Sequence, residues 1–225
     1  MIKGVAGGVH VGRQMTMRAL SARRFVVYGA VGFGIGWVIA GFFNSVFIAM
    51  TAPMFPPGRG AVPPPWWLTL PPELSWFVAG ACGGAALGLA LRSWKRVVAL
   101  ALAGALGFGV GYFVFFILAF LFGLPLVSVG MGAVGGIILG LALADWRVVV
   151  LLGLAGMIGF GMGGAIAAAF GMPVVGIDWE QPPLLLLTYV LVQAIVGIIG
   201  GASLGAALGY LVSGEPARER SPRVR

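Results

Sequence analysis

Apolar residues run through this chain in long, unbroken stretches, and the polar residues fall between them. Continuous runs of roughly 18 to 28 apolar residues have the length of a helix that crosses a bilayer. Six such runs predict six spans, at about 25–50, 74–91, 97–122, 126–143, 148–170 and 184–212. The alternation expected of a transmembrane β-barrel strand is missing. The fourth run is short and follows Gly123-Leu-Pro125, which predicts a tight turn between two crossing helices. A basic segment, 1–24, precedes the spans, and a charged tail, 213–225, follows them. The tail has the composition of disordered chain.

Two of the runs are near copies of two others. Gly80-Ala-Cys-Gly83-Gly84-Ala-Ala-Leu87-Gly88-Leu89-Ala90-Leu91 leads into Arg92-Ser-Trp94-Lys95. Its echo, Gly132-Ala-Val-Gly135-Gly136-Ile-Ile-Leu139-Gly140-Leu141-Ala142-Leu143, leads into Ala144-Asp-Trp146-Arg147. Beyond each turn, Gly104-Ala-Leu-Gly107-Phe108-Gly109-Val-Gly111 matches Gly156-Met-Ile-Gly159-Phe160-Gly161-Met-Gly163. The first span carries the same motif at Gly29-Ala-Val-Gly32-Phe33-Gly34-Ile-Gly36, and the sixth resembles the returning helix from Gly197 to Leu208. Duplication of this kind marks a repeat architecture. All three outgoing spans point the same way, so the repeats are parallel, related by an axis along the membrane normal.

The returning spans carry glycine-zipper ladders: Gly80, Gly84 and Gly88; Gly132, Gly136 and Gly140; and Gly197, Gly201, Gly205 and Gly209. Residues four apart stack on one helix face, and small residues there let a neighbouring backbone come close. The expected partners are the outgoing pairs Gly32/Gly36, Gly107/Gly111 and Gly159/Gly163. The predicted fold is an all-α integral membrane protein of six transmembrane helices, three parallel glycine-rich hairpins in an approximately threefold bundle.

Composition fits this picture. Of 225 residues, 60% are hydrophobic and 9% charged, with 39 glycines, a balance that a soluble domain does not reach. The net charge of +8 raises nucleic acid as a partner. The distribution of that charge points instead to a lipid bilayer. Arg23 and Arg24 precede the first span; Arg92, Lys95, Arg96 and Arg147 lie in the turns of the two copies; and the rest flank the termini. Arg59 is the one exception among the fourteen Lys and Arg residues. By the positive-inside rule both termini are cytoplasmic, in a cell membrane of the bacterial cytoplasmic type. Trp94 and Trp146 fall at the cytoplasmic boundary and Trp66, Trp67, Trp76 and Trp179 near the outer one, the positions of interfacial anchors.

Eight of the fourteen prolines lie in the outer loop from Thr51 to Ser75, including Pro63-Pro-Pro65, which suits a stiff spacer, a docking segment or an interfacial loop. Asp178-Trp179-Glu180 gives the second outer loop a small acidic patch. Met15 and Met17 stand ahead of the first arginine cluster as alternative starts to Met1.

Chemistry is sparse. Cys82 is the only cysteine and His10 the only histidine, which leaves a histidine-rich metal or haem site without ligands and any pigment or quinone without sequence support. Gly159-Phe-Gly161-Met-Gly163-Gly164 has the spacing of a dinucleotide fingerprint but lacks the strand and acidic residue that give it meaning. Ionisable residues within spans mark transport paths, and these spans hold almost none. Asp145 reads as a surface pair with Arg147, and Glu73 as a cap on the second span. The polar candidates are Asn44, Ser45, Tyr112, Ser128, Thr188, Tyr189, Gln193 and Ser203, of which Asn44 and Gln193 are the most costly to bury and call for intramembrane partners. Three parallel hairpins resemble the general architecture of mitochondrial carriers, without the charged and proline signature of that family's odd helices. No catalytic, cofactor or metal constellation is present. The expectation is a non-enzymatic accessory or scaffolding subunit of a larger membrane complex, with a membrane-protein partner or a homo-oligomer. The alternative is a channel or carrier for a small neutral or lipophilic solute.

Overall fold

The computed structural model describes residues 6–51, 66–122, 125–169 and 183–214. They form six helices: α1 (Ala6–Thr51), α2 (Trp66–Ala90), α3 (Trp94–Phe122), α4 (Pro125–Ala142), α5 (Trp146–Ala169) and α6 (Pro183–Gly214). Among the described residues there is no strand. Helix is the form in which an apolar segment satisfies its own backbone, and Pro125 and Pro183 stand at first helical positions, where a missing N–H costs nothing. Four helices contain segments long and apolar enough to cross a membrane: Ala22–Phe47, Trp94–Phe115, Trp146–Ala169 and Leu187–Ser213. The apolar stretches Leu74–Ala90 and Val127–Ala142 are shorter.

Two boundaries differ from expectation. The 46-residue α1 starts at Ala6, far ahead of the first apolar run. From Arg13 to Ala22 most residues are good helix formers and none is proline, so charge ends the apolar run without ending the helix, which continues back through Gly12, Gly8 and Gly7 to Ala6. At ~1.5 Å per residue α1 is about 69 Å long, more than twice a hydrocarbon core of about 30 Å. The second correction is in the proline-rich loop. Helix α2 reaches back through Pro71 and Pro72 to Trp66, each proline removing one backbone bond while the later ones stand. Glu73 therefore lies inside α2 and not at its cap. Pro63-Pro-Pro65, Arg59, Asp178, Trp179, Glu180 and the charged tail lie outside the described residues.

Helices α2 and α3 are joined by the same turn as α4 and α5. Arg92 (φ 54°) and Ala144 (φ 57°) take the left-handed conformation that closes a helix. The Arg92 N–H bonds to the Leu89 carbonyl at 3.0 Å, and the Ala144 N–H to that of Leu141 at 3.0 Å. Ser93 and Asp145 then start the next helix. Asp145 does not pair with the Arg147 guanidinium; its Oδ1 accepts the Arg147 backbone N–H at 2.9 Å, as a helix cap.

Each helix packs on its two neighbours in the chain, and α6 closes on α1, so the six form a ring. At its centre Phe33, Phe108 and Phe160 meet, with ring centroids 5.0, 5.0 and 5.6 Å apart, and none is more than 1% exposed. One turn towards the arginine-bearing end lie the buried Leu87, Leu139 and Leu204. Towards the opposite end Trp37 and Trp76 fill the interior, with Tyr112 stacked on Trp76.

Backbones approach most closely along the ladders. Gly80 and Gly132 face the carbonyls of Gly104 and Gly156; Gly84 and Gly136 face those of Leu100 and Leu152; Gly88 and Gly140 face the Cα atoms of Val97 and Val149. These are not the partners expected from the sequence. Gly36, Gly111 and Gly163 serve a different interface: an added Cβ there would lie 2.6 Å from the Ala79 carbonyl oxygen, 3.1 Å from the Met131 Cα and 2.9 Å from the Val196 Cα. The outgoing helices thus carry two glycine faces, one for each neighbour.

Helix α6 departs from the other two ladders in register. Gly200 faces the Phe160 ring as Gly83 faces Phe33 and Gly135 faces Phe108, which keeps α6 level with α5. Against α1, however, Gly201 stands opposite Gly29 and Gly205 opposite Phe25. Gly197, which aligns in sequence with Gly80 and Gly132, meets the Phe33 carbonyl oxygen at 2.6 Å and Trp37 Cγ at 2.7 Å from its Cβ position. The seam between α6 and α1 is stepped by one turn, about 6 Å, and the fourth rung of the α6 ladder makes the step fit.

Candidate functional site

Polar side chains gather on this seam. Along α1, Trp37, Gly41 and Asn44 share a face; along α6, Gly197, Gln193 and Tyr189 share one, running the other way. Trp37 lies against Gly197, and Gln193 against Gly41, whose added Cβ would sit 3.3 Å from that of Gln193. Asn44 Nδ2 donates to the Tyr189 hydroxyl at 2.9 Å, and Gln193 hydrogen-bonds the same hydroxyl. Gly197 is needed for this close contact, since a Cβ there would meet the Phe33 carbonyl oxygen, whereas one at Gly41 would ask Gln193 to shift only slightly.

Asn44 and Gln193, chosen from sequence because each is costly to bury, therefore do come together, through the single oxygen of Tyr189. The other polar candidates scatter. Ser203 donates to the Ile199 carbonyl of its own helix at 3.0 Å, the local bonding that hydroxyls use inside helices. Ser128 lies against Gly164, on the α4–α5 side. Tyr112 stacks on Trp76 with centroids 5.1 Å apart. Ser45 is buried, and its Oγ has no hydrogen-bond partner.

Trp76 was expected at the membrane interface. It is instead 5% exposed, and its ring meets Trp37 edge to face at 4.9 Å. Trp94 and Trp146 are 75% and 71% exposed at the arginine-bearing end, as an anchor requires. Nothing in the sequence marks Trp37, because a tryptophan within an apolar run reads as packing. It is 3% exposed, stacks on Phe160 at 5.5 Å, and leaves its indole Nε1–H without a partner. Only the three-dimensional arrangement reveals the unmet donor.

Removal of the Tyr189 hydroxyl tests whether the triad holds the seam. Tyr189→Phe is expected to lower detergent-solubilised stability by about 1–2 kcal/mol, the scale of buried polar bonds between membrane helices. A melting curve identical to that of the wild type would assign the triad no structural role.

Among the described residues no three His, Cys, Asp or Glu side chains lie together as metal ligands would. Cys82 is a free, partly buried thiol. The site offers hydrogen-bond donors and acceptors within an apolar, aromatic surround, and no nucleophile paired with a base. No protein-family model, curated protein or solved structure matches the chain, so its function must be read from this geometry.

Proposed function

We propose that the chain is a non-enzymatic integral membrane protein acting as a scaffolding or accessory subunit of a larger membrane complex. In this reading all six helices cross, α2 and α4 included, and both termini face the cytoplasm of a bacterial-type cell. The three closest pairs, α2 with α3, α4 with α5, and α6 with α1, are glycine-zipped repeats about a pseudo-threefold axis. The recurring ladder contacts and the central phenylalanines support that symmetry. The observation that carries the functional reading is the filled axis. Where a pore would run, Phe33, Phe108 and Phe160 are 0–1% exposed and in mutual contact. Outside, exposed apolar side chains such as Ile35, Leu102, Leu106, Leu154 and Ile158 offer surface to lipid or to a partner's helices.

A carrier for a small neutral solute is the second reading, favoured by the polar seam of Asn44, Tyr189 and Gln193. Extraction from native membranes in a mild detergent, through a tag on the C-terminus, separates the two. A stoichiometric complex with other membrane proteins is expected. Recovery of the chain alone, with solute flux in liposomes that Gln193→Leu abolishes, would replace the scaffold with the carrier.

A further inference from the structure

The geometry points to a binding site for a small neutral molecule with a hydrogen-bond acceptor oxygen, a ketone, ether or alcohol with an apolar body, in the α1–α6 seam beside Trp37. This assignment stands whether or not the chain travels with partner subunits.

Three observations converge on it. The first is the unmet donor: Trp37 is nine-tenths or more buried and its Nε1–H has no partner. A buried N–H without a partner is costly, and native structures leave few. An indole only donates, so the complementary group is an acceptor. The second is the approach. Gln193 and Asn44 are only partly buried and Gln193 sits one turn outward from Trp37. These polar groups lie on the same two helix faces as Trp37 and Gly197, so the polar part of the seam adjoins the turn that carries the indole.

The third is what surrounds the donor. Phe160 stacks on Trp37, Trp76 meets its edge, and the inward side is closed by the Phe33–Phe108–Phe160 contact. An apolar wall with a few convergent polar groups is the usual make-up of a small-molecule site. No carboxylate or basic residue stands on α1 between Trp37 and Asn44 or on α6 between Tyr189 and Gly197, so these faces offer a charged ligand no counter-ion, and desolvation would oppose its entry.

Benzophenone is the probe, because it carries one acceptor carbonyl on an apolar body and bonds to nearby C–H groups under near-ultraviolet light. In the full-length protein in detergent, labelling is expected to saturate and to map by peptide mass spectrometry to α1 around Trp37 or to α6 between Tyr189 and Gly197. Acetophenone should compete. Its isostere α-methylstyrene, which lacks the oxygen, should compete about tenfold less well, the loss expected for one hydrogen bond. Trp37→Phe keeps the aromatic ring and removes the donor, and should raise the half-saturating concentration by about tenfold; size-exclusion elution and circular dichroism check its fold. Labelling that does not saturate and spreads over lipid-facing positions such as Leu102 and Leu106 would overturn the site. Equal competition by acetophenone and α-methylstyrene, measured on the wild-type protein, would overturn the acceptor requirement even if the variant failed to fold.

Discussion

Alanine in place of Gly136 is expected to prevent recovery of a folded, monodisperse protein, although it adds a single methyl group. A Cβ at this position collides with the Leu152 carbonyl and comes within 2.9 Å of the Gly153 backbone nitrogen. Backbone atoms have no alternative rotamer, so α4 and α5 must separate along the whole ladder. Overpacking of an interior costs about 1–3 kcal/mol where side chains can yield and more where they cannot, against a total stability of about 5–15 kcal/mol. A loss of about 3 kcal/mol or more is therefore expected, read from size-exclusion profiles and thermal melts in mild detergent. Gly153→Ala is the control on the same pair of helices. Its Cβ would meet Ile137 Cγ1 at 3.0 Å, a side-chain atom that can move, and alanine is the better helix former by about 1 kcal/mol. This variant should fold normally. If Gly136→Ala melts as the wild type does, the close approach of α4 and α5 is wrong.

Phe108→Ala has the second-largest expected effect and also tests function. Phe108 is 1% exposed, lies 5.0 Å from both Phe33 and Phe160, and has its ring against Gly135. In a water-soluble core such a truncation costs about 3–5 kcal/mol. Inside a bilayer the surroundings are as apolar as the ring, so little of the transfer contribution applies and lost packing dominates. The expected loss is thus at the low end, about 3 kcal/mol. Ion flux in liposomes should stay at background, because Leu87, Leu139 and Leu204 still close the axis on one side and Trp37 with Trp76 on the other. A channel gated by an apolar constriction would behave differently. If Phe108→Ala leaks ions, the phenylalanine layer is a gate and the scaffold reading fails.

Helix type and number were legible in the sequence because long apolar stretches admit almost no other structure in lipid. The paired turns were legible too: the repeated Leu-x-x-Trp segments close in the same left-handed conformation at Arg92 and Ala144. Helix α1 was underestimated, since Arg18, Arg23 and Arg24 end an apolar run while remaining fully compatible with helix. The choice of glycine partner was not legible. A Gly-x-x-x-Gly face shows that some helix comes close and leaves open which one, and helices that are apolar all round carry little directional signal. The displacement of Trp76 into the interior has the same origin, as tryptophan suits both an interface and a packed core. At the seam, the burial cost of Asn44 and Gln193 pointed to partners, but Tyr189 as their common bond and the unmet indole of Trp37 depend on two helices that lie at opposite ends of the chain.

That last circumstance bears on how the protein is made. The ring is sealed by α1 and α6, so the glycine face of α1 at Gly29 lacks its partner until α6 leaves the ribosome. In the six-span reading proposed above, α1 to α5 would insert and pack in the order of synthesis, each against the one before. The sixth must find α1 after the rest of the bundle has set, at a height one turn out of line with its other contacts. A chain released before α6 would expose the narrow glycine face of α1 to lipid, or to the α6 of another copy. The stepped seam thus makes the arrival of α6 the step on which closure of the ring depends.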